Sequence, residues 1–124
     1  MWRDKAQIGQ ILCDSMALEI RQPELLDEWE KYYDLRWRVL RASWSQPRGS
    51  EQDEFEREAY HLMALEEGKV LSVGRIHLIA PRIAQVRYMA TAFDARGKGL
   101  GTRILQGLET YAREVQVIAI FLNA

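Results

Sequence analysis

Apolar residues recur along this chain with two different spacings. Leu26, Trp29, Tyr33, Trp37, Leu40 and Trp44 fall three or four apart, the interval of one helix face, and predict a helix over 24–44 with those side chains toward the core. Pro23 stands at its start, where a missing N–H is tolerated. A second stripe, Leu100, Ile104, Leu108, Tyr111, Ala112 and Val115, predicts a helix over 100–114. Between them lie three segments, 60–66, 70–80 and 84–92, each apolar on both faces for part of its length. Glu67-Gly68 and Pro81-Arg82 separate them, so they read as an antiparallel meander covered on both sides. Met16 to Arg21 reads as a first strand, and the continuous apolar run from Val117 as a last, buried strand over 117–124. Ser50 with Asp53 three residues later resembles a helix start, predicting a short helix over 50–58. The expected order is strand, helix, helix, three strands, helix, strand. That is an α+β domain with a mostly antiparallel sheet flanked by helices. It spans 16–124 behind a leader, 1–15, that shows no clear period.

Composition narrows the class. The chain has 124 residues and a formal charge of −1, so one domain is expected, with no global attraction to nucleic acid or to an anionic membrane. Cys13 is the only cysteine, which rules out an internal disulfide and fits a reducing compartment. With no signal-peptide pattern and no run long enough to span a bilayer, a cytoplasmic protein is expected. His61 and His77 have no partners at metal-ligand spacing, so no metal site is expected. Both read as strand residues with local hydrogen bonds. Gly74 inside a strand suggests a bulge or the close approach of another backbone, and Gly107 inside a helix suggests a close packing contact. Tyr32 and Arg36 lie beside the first helical stripe. The acidic run Glu51, Asp53, Glu54, Glu56 and Glu58 reads either as a solvated face or as a wall attracting a cationic substrate.

The stretch with most chemistry is Arg96-Gly97-Lys98-Gly99-Leu100-Gly101. It follows a predicted strand and opens a predicted helix. Glycines at alternate positions let a ligand approach the main chain. The first turn of a helix offers unpaired N–H groups and the positive end of the dipole, a ready site for phosphate. A P-loop needs four residues between its glycine and Gly-Lys-Ser/Thr, which this sequence lacks. A Rossmann fingerprint needs Gly-x-Gly-x-x-Gly in the first βα unit and a later acid, and here the spacing and position differ.

This stretch, its place after Arg87-Tyr88-Met89-Ala90 and the order of elements resemble the GNAT superfamily of acetyltransferases, whose motif is Gln/Arg-x-x-Gly-x-Gly/Ala. More loosely, Gln46-Pro47 with Gly49-Ser50-Glu51 resembles the GNAT half of bacterial proteins in which a hot-dog thioesterase follows. The resemblance implies acetyl-coenzyme A as cofactor and a small-molecule or peptide amine as acceptor. It implies that backbone groups of Arg96, Gly97, Lys98, Gly99, Leu100, Gly101 and Thr102 bind the pyrophosphate. Main-chain groups of Met89, Ala90 and Thr91 would pair with the pantetheine arm and polarise the thioester carbonyl. The position of the glutamate base found in some relatives falls near Gln85, so the base is unassigned; water held by His77 or Tyr32 is one expectation. Relatives continue past the last strand into a helix carrying a tyrosine acid and two further strands. The sequence ends before these, and Tyr111 is on the wrong helix to substitute. A shortened, non-catalytic coenzyme A-binding or strand-pairing module, with a homodimer as its partner expectation, is therefore the alternative.

Overall fold

The computed structural model describes residues 17–122. The predicted leader, Cys13, the strand start at Met16 and residues 123–124 lie outside them. The elements are β1 (Glu19–Arg21), α1 (Leu26–Leu40), β2 (Tyr60–Glu66), β3 (Lys69–Ala80), β4 (Ile83–Thr91), α2 (Leu100–Glu114) and β5 (Ala119–Leu122). Short 3₁₀ turns occupy Ala42–Trp44 and Phe93–Ala95. The strands lie in chain order in one sheet, antiparallel from β1 to β4, with β5 parallel to β4. α2 makes the crossover that a parallel pair requires. Glu67 and Gly68 both take positive φ, the primed turn that a two-residue hairpin favours.

The sheet is covered on both faces along β2, β3 and β4, as their doubly apolar sequences require; β5, predicted as a buried strand, instead lies at the sheet edge with Phe121 and Leu122 exposed. His61 and Leu62 are neighbours on β2 and so point to opposite faces. His61 meets Tyr32 of α1, whose hydroxyl lies 2.8 Å from its Nδ1. Leu62 meets α2 at Gly107, where an added Cβ would sit 2.6 Å from the Leu62 Cδ1. The close contact expected at Gly107 is therefore present. Ile104 and Leu108 of α2 are fully buried, and Tyr111 stacks on Tyr60 with ring centroids 4.0 Å apart.

α1 is rotated from its predicted face. Its buried residues are Glu28, Tyr32, Leu35 and Arg36, while Leu26 is 77% and Trp44 75% exposed. Trp29, Tyr33 and Leu40 pack at the margin of the core. Glu28 closes the helix start by accepting from the Leu25 and Glu24 amides (3.2 and 2.9 Å) and pairing with Arg21 (2.7 Å). Arg36 takes a core position because partners meet it there.

Those partners come from the segment predicted as a second helix. Residues 50–58 form no helix; they run as successive turns. Their carboxylates bind nearby amides instead: Glu51 accepts from Gly49, Asp53 from Phe55 (2.9 Å) and Glu56 from Asp53 (3.1 Å). Such side-chain bonds compete with the helical ladder. The same acids reach inward. Glu56 pairs with Arg36 (2.9 Å) and with Arg75 of β3. Asp53 pairs with Arg75 (2.6 Å) and Arg87 of β4 (3.1 Å). The result is an alternating chain, Arg36–Glu56–Arg75–Asp53–Arg87, in which Arg36 and Arg75 are fully buried. Asp53 and Glu56 thus belong neither to a solvated face nor to a wall awaiting a cation, because each already bridges two guanidiniums.

At Tyr88 β4 carries a bulge. The register passes from Arg75↔Arg87 to Val73↔Ala90, so Tyr88 and Met89 together oppose Gly74. Tyr88 has φ +58°, a left-handed conformation costing about 1–2 kcal/mol for a residue with a Cβ. Gly74 makes room for the bulge: a Cβ there would lie 2.7 Å from the Met89 Sδ and 2.6 Å from the Ile104 Cγ2. The bulge expected near Gly74 is present, but its extra residue is on β4, and the close neighbours are side chains rather than backbone.

Two outcomes are expected. Asp53→Asn or Glu56→Gln leaves a buried guanidinium short of a counter-charge and should cost about 3 kcal/mol in urea unfolding. Glu54→Gln, two residues or fewer from either, should change stability by less than about 0.5 kcal/mol. Burial opposes ionisation of Asp53, but the Arg75 and Phe55 hydrogen bonds overcome it and hold the carboxyl at about 2, against about 3.9 in an unfolded chain. A folded value below the unfolded one gives stability that is present above about pH 4 and lost as the pH falls toward 2. Thermal melts across that window should show the loss, and Asp53→Asn should flatten it. Part of the slope should survive, because the Arg21 hydrogen bond likewise holds Glu28 at about 2.

Candidate active site

The glycine turn supplies a concave run of main chain. Gly97 and Gly99 have φ of +81° and +75°, with open space where a Cβ would stand. Gly99 precedes α2, and the first helical bond is Arg103 N–H to Gly99 O (3.1 Å). The amides of Leu100, Gly101 and Thr102 therefore have no helical acceptor and face the positive end of the dipole. Arg96 stacks over Phe93, its guanidinium carbon 4.3 Å from the ring centroid.

A groove of about 550 Å³ opens against this turn. Met89, Ala90, Thr91, Arg96, Gly97, Gly99, Leu100, Gly101 and Thr102 line it, together with Val39, Leu40 and Ala95. Lys98 alone of the predicted contact residues is not in its wall. Val39 and Leu40, from the end of α1, carried no sequence signal for this role.

Beyond Met89 and Leu40 the groove continues into a second space of about 530 Å³, bordered by Arg41, Val86, Arg87, Tyr88, Leu105 and Leu122. This is the gap between β4 and β5. The two strands pair only from Ile83↔Ala119 to Val86↔Leu122. From Arg87 to Thr91, β4 has no partner on that side among the described residues. The Ala92 N–H donates to Leu71 O across the β3 side (2.8 Å). Alternation along a strand then turns the Thr91 amide toward the gap. An extended ligand can therefore add to β4 as a strand while its anionic end reaches the glycine turn.

Other polar residues considered from sequence lie elsewhere. Tyr32 is fully buried, and its hydroxyl is held between His61, Gly74 O and Arg36. Burial pushes its phenol up to about 12. His77 stacks on Phe55 (4.4 Å) and receives Arg75 at Nδ1 (3.2 Å); burial and the Arg75 charge push its imidazole below its ordinary value. Neither side chain borders the groove, so neither holds a water there as base. Among the described residues, no His, Cys, Asp and Glu cluster could hold a metal, and no helix is long and apolar enough to cross a membrane.

Sequence reasoning missed Arg41, Arg87 and Tyr88 as groove residues. A signal existed: Arg75 and Arg87 interrupt otherwise apolar strands, and a buried charge demands a partner.

The architecture is shared with solved acetyltransferases. A GNAT-family acetyltransferase from Staphylococcus aureus Mu50 superposes with a TM-score of 0.74 at 12% identity, covering 87% of this chain and 74% of that one. A ribosomal-protein-alanine N-acetyltransferase from Brucella melitensis biovar Abortus 2308 gives 0.65 at 23% identity, covering 87% and 80%. An acyl-CoA N-acyltransferase from Pseudomonas aeruginosa gives 0.69 at 21%, covering 86% and 75%. The family model for the Acetyltransferase (GNAT) family matches residues 29–124, so the glycine turn, the gapped strands and the helix between them place this chain in that family.

Proposed function

We propose that this chain binds acetyl-coenzyme A along the groove and transfers its acetyl group to the amine of a small-molecule or peptide acceptor. The observation that carries this reading is continuity. The glycine turn and the unpaired stretch of β4 form one trough, with an anion cradle at one end and backbone pairing groups along its side. When bound there, acetyl-coenzyme A supplies an activated thioester. In the transfer the amine nitrogen forms the new C–N bond, the C–S bond breaks, and the nitrogen's proton leaves to solvent or to the thiol. The chain's part is to hold the reactants. Amides from Arg96 to Thr102 receive the pyrophosphate, the Thr91 main chain pairs with the pantetheine arm where it passes Met89 and Ala90, and an N–H in that stretch polarises the carbonyl.

A non-catalytic coenzyme A-binding module is the second reading. It draws support from the groove walls, which among the described residues carry no carboxylate or imidazole. Calorimetry should show acetyl-coenzyme A binding, weakened at least about a hundredfold by Gly99→Glu. That change sets a strained backbone and a negative charge against the phosphates. Thr110→Ala, on the exposed face of α2, should bind as the parent does. Thiol release with an amine panel then separates the readings: turnover supports the transferase, and binding without release for any amine supports the module. No binding at millimolar concentration overturns both.

A further inference from the structure

Four guanidiniums surround one ring. Arg36, Arg75, Arg87 and Arg41 have their guanidinium carbons 4.4, 4.8, 4.7 and 5.8 Å from the centroid of Tyr88. Two carboxylates, Asp53 and Glu56, serve this group, and each is shared between two arginines on the side away from the groove. A further acid of the same segment, the buried Glu51, turns its carboxylate to the Gly49 amide and offers Arg36 only its backbone oxygen (2.9 Å). Positive charge is thus in excess, and the excess sits at the groove. Arg41 and Arg87 border it, and no acid among the described residues does. The Arg41 Nε is buried with no hydrogen-bond partner among the described residues, and a buried donor left unpaired is costly.

Building on the acetyltransferase reading, we infer that Arg41 and Arg87 form an anion subsite, and that the acceptor is an amine bearing a carboxylate or phosphate. A guanidinium presents a planar fork that matches either group. The subsite lies past Met89, on the far side of the gap from the glycine turn, so it is separate from the pyrophosphate cradle. The same excess charge favours the neutral, nucleophilic form of an incoming amine, which matters in a groove with no carboxylate base. Tyr88, with its left-handed backbone, stands at this wall between Arg41 and Arg87, which border the groove, and the buried Arg36 and Arg75 behind it.

The test uses matched pairs: ethanolamine with phosphoethanolamine, and butylamine with 4-aminobutyrate, beside 1,4-diaminobutane as a cationic member. NMR titration measures their binding to the free and the coenzyme A-saturated protein, and thiol release measures turnover. The acidic member of at least one pair should bind at least about tenfold more tightly than its neutral partner; which pair does so distinguishes phosphate from carboxylate. Arg41→Gln and Arg87→Gln should each cut that advantage, acting on KM more than kcat, while acetyl-coenzyme A affinity stays within about twofold. Arg41 makes no ion pair among the described residues, so its variant should melt as the parent does and keeps the test readable if Arg87→Gln unfolds. Equal or absent binding of the acidic members overturns the inference, as does an advantage that survives Arg41→Gln. Acetyl-coenzyme A binding without acid preference overturns the subsite alone. Acid preference without acetyl-coenzyme A binding overturns the transferase reading and leaves the subsite standing.

Discussion

Two arginines fully buried on facing layers, Arg36 on α1 and Arg75 on β3, set the terms for everything around them. A guanidinium cannot lose its proton to escape burial, so carboxylates must be brought to it. The acids that meet these two arginines, Asp53 and Glu56, come from the turns between α1 and the meander. Their capture fixes that segment against the sheet, denies it a helix, and adds buried charge to a sheet face that Tyr32 and Leu35 also cover. Such pairs gain little over an apolar core of equal volume, because desolvation offsets most of the attraction. What they supply is position: breaking any link leaves a buried charge, so the segment has few alternative places to go.

That distinction explains which features were legible in the sequence. The meander, α2 and the glycine turn follow from local rules: period, turn chemistry and the unpaired amides of a helix start. β2 and α2 fall where their patterns put them, over Tyr60–Glu66 and Leu100–Glu114. The 50–58 segment does not, because a serine followed by an acid three residues on reads as a cap only if that acid has no stronger partner. Here Asp53 has Arg75 and Arg87, more than twenty residues away in the chain. The rotation of α1 has the same cause. Counting arginine as polar left Arg36 beside the stripe and put Trp44 on it, whereas Arg36 is buried and Trp44 lies exposed beyond the helix end.

The glycine turn and the arginine cluster are linked through β4. At one end it pairs regularly with β5; from Arg87 to Thr91 its partners among the described residues are on β3 alone. Tyr88 stands where that change occurs. A left-handed residue in a strand adds twist, and Gly74 opposite removes the Cβ that would resist Met89. The strain is therefore not a local defect: it carries the tyrosine ring to the sheet face where Arg36 and Arg75 await an aromatic partner, and Met89 to the other. Neither the ring nor its neighbours could be inferred from strand periodicity, since a bulge breaks the period at the one position where it matters.

A chain with a formal charge of −1 has its positive potential gathered at two places along one trough. At the glycine turn it is made of amide dipoles, with Arg96 beside them. At the other end it is made of guanidiniums that outnumber their carboxylates. The two differ in what they can hold. Amides at a helix start cradle an anion through oriented partial charges that need no counter-ion, so this end can stay open to water when empty. The arginine end carries full charges beside an apolar wall of Val86, Leu105 and Leu122, where the effective dielectric is lower and an added anion is worth more. A ligand that is anionic at one end and a second that is anionic at the other would meet between them, at Met89 and Tyr88, where β4 leaves β5. On the proposed reading, charge placement orders the two molecules along the groove.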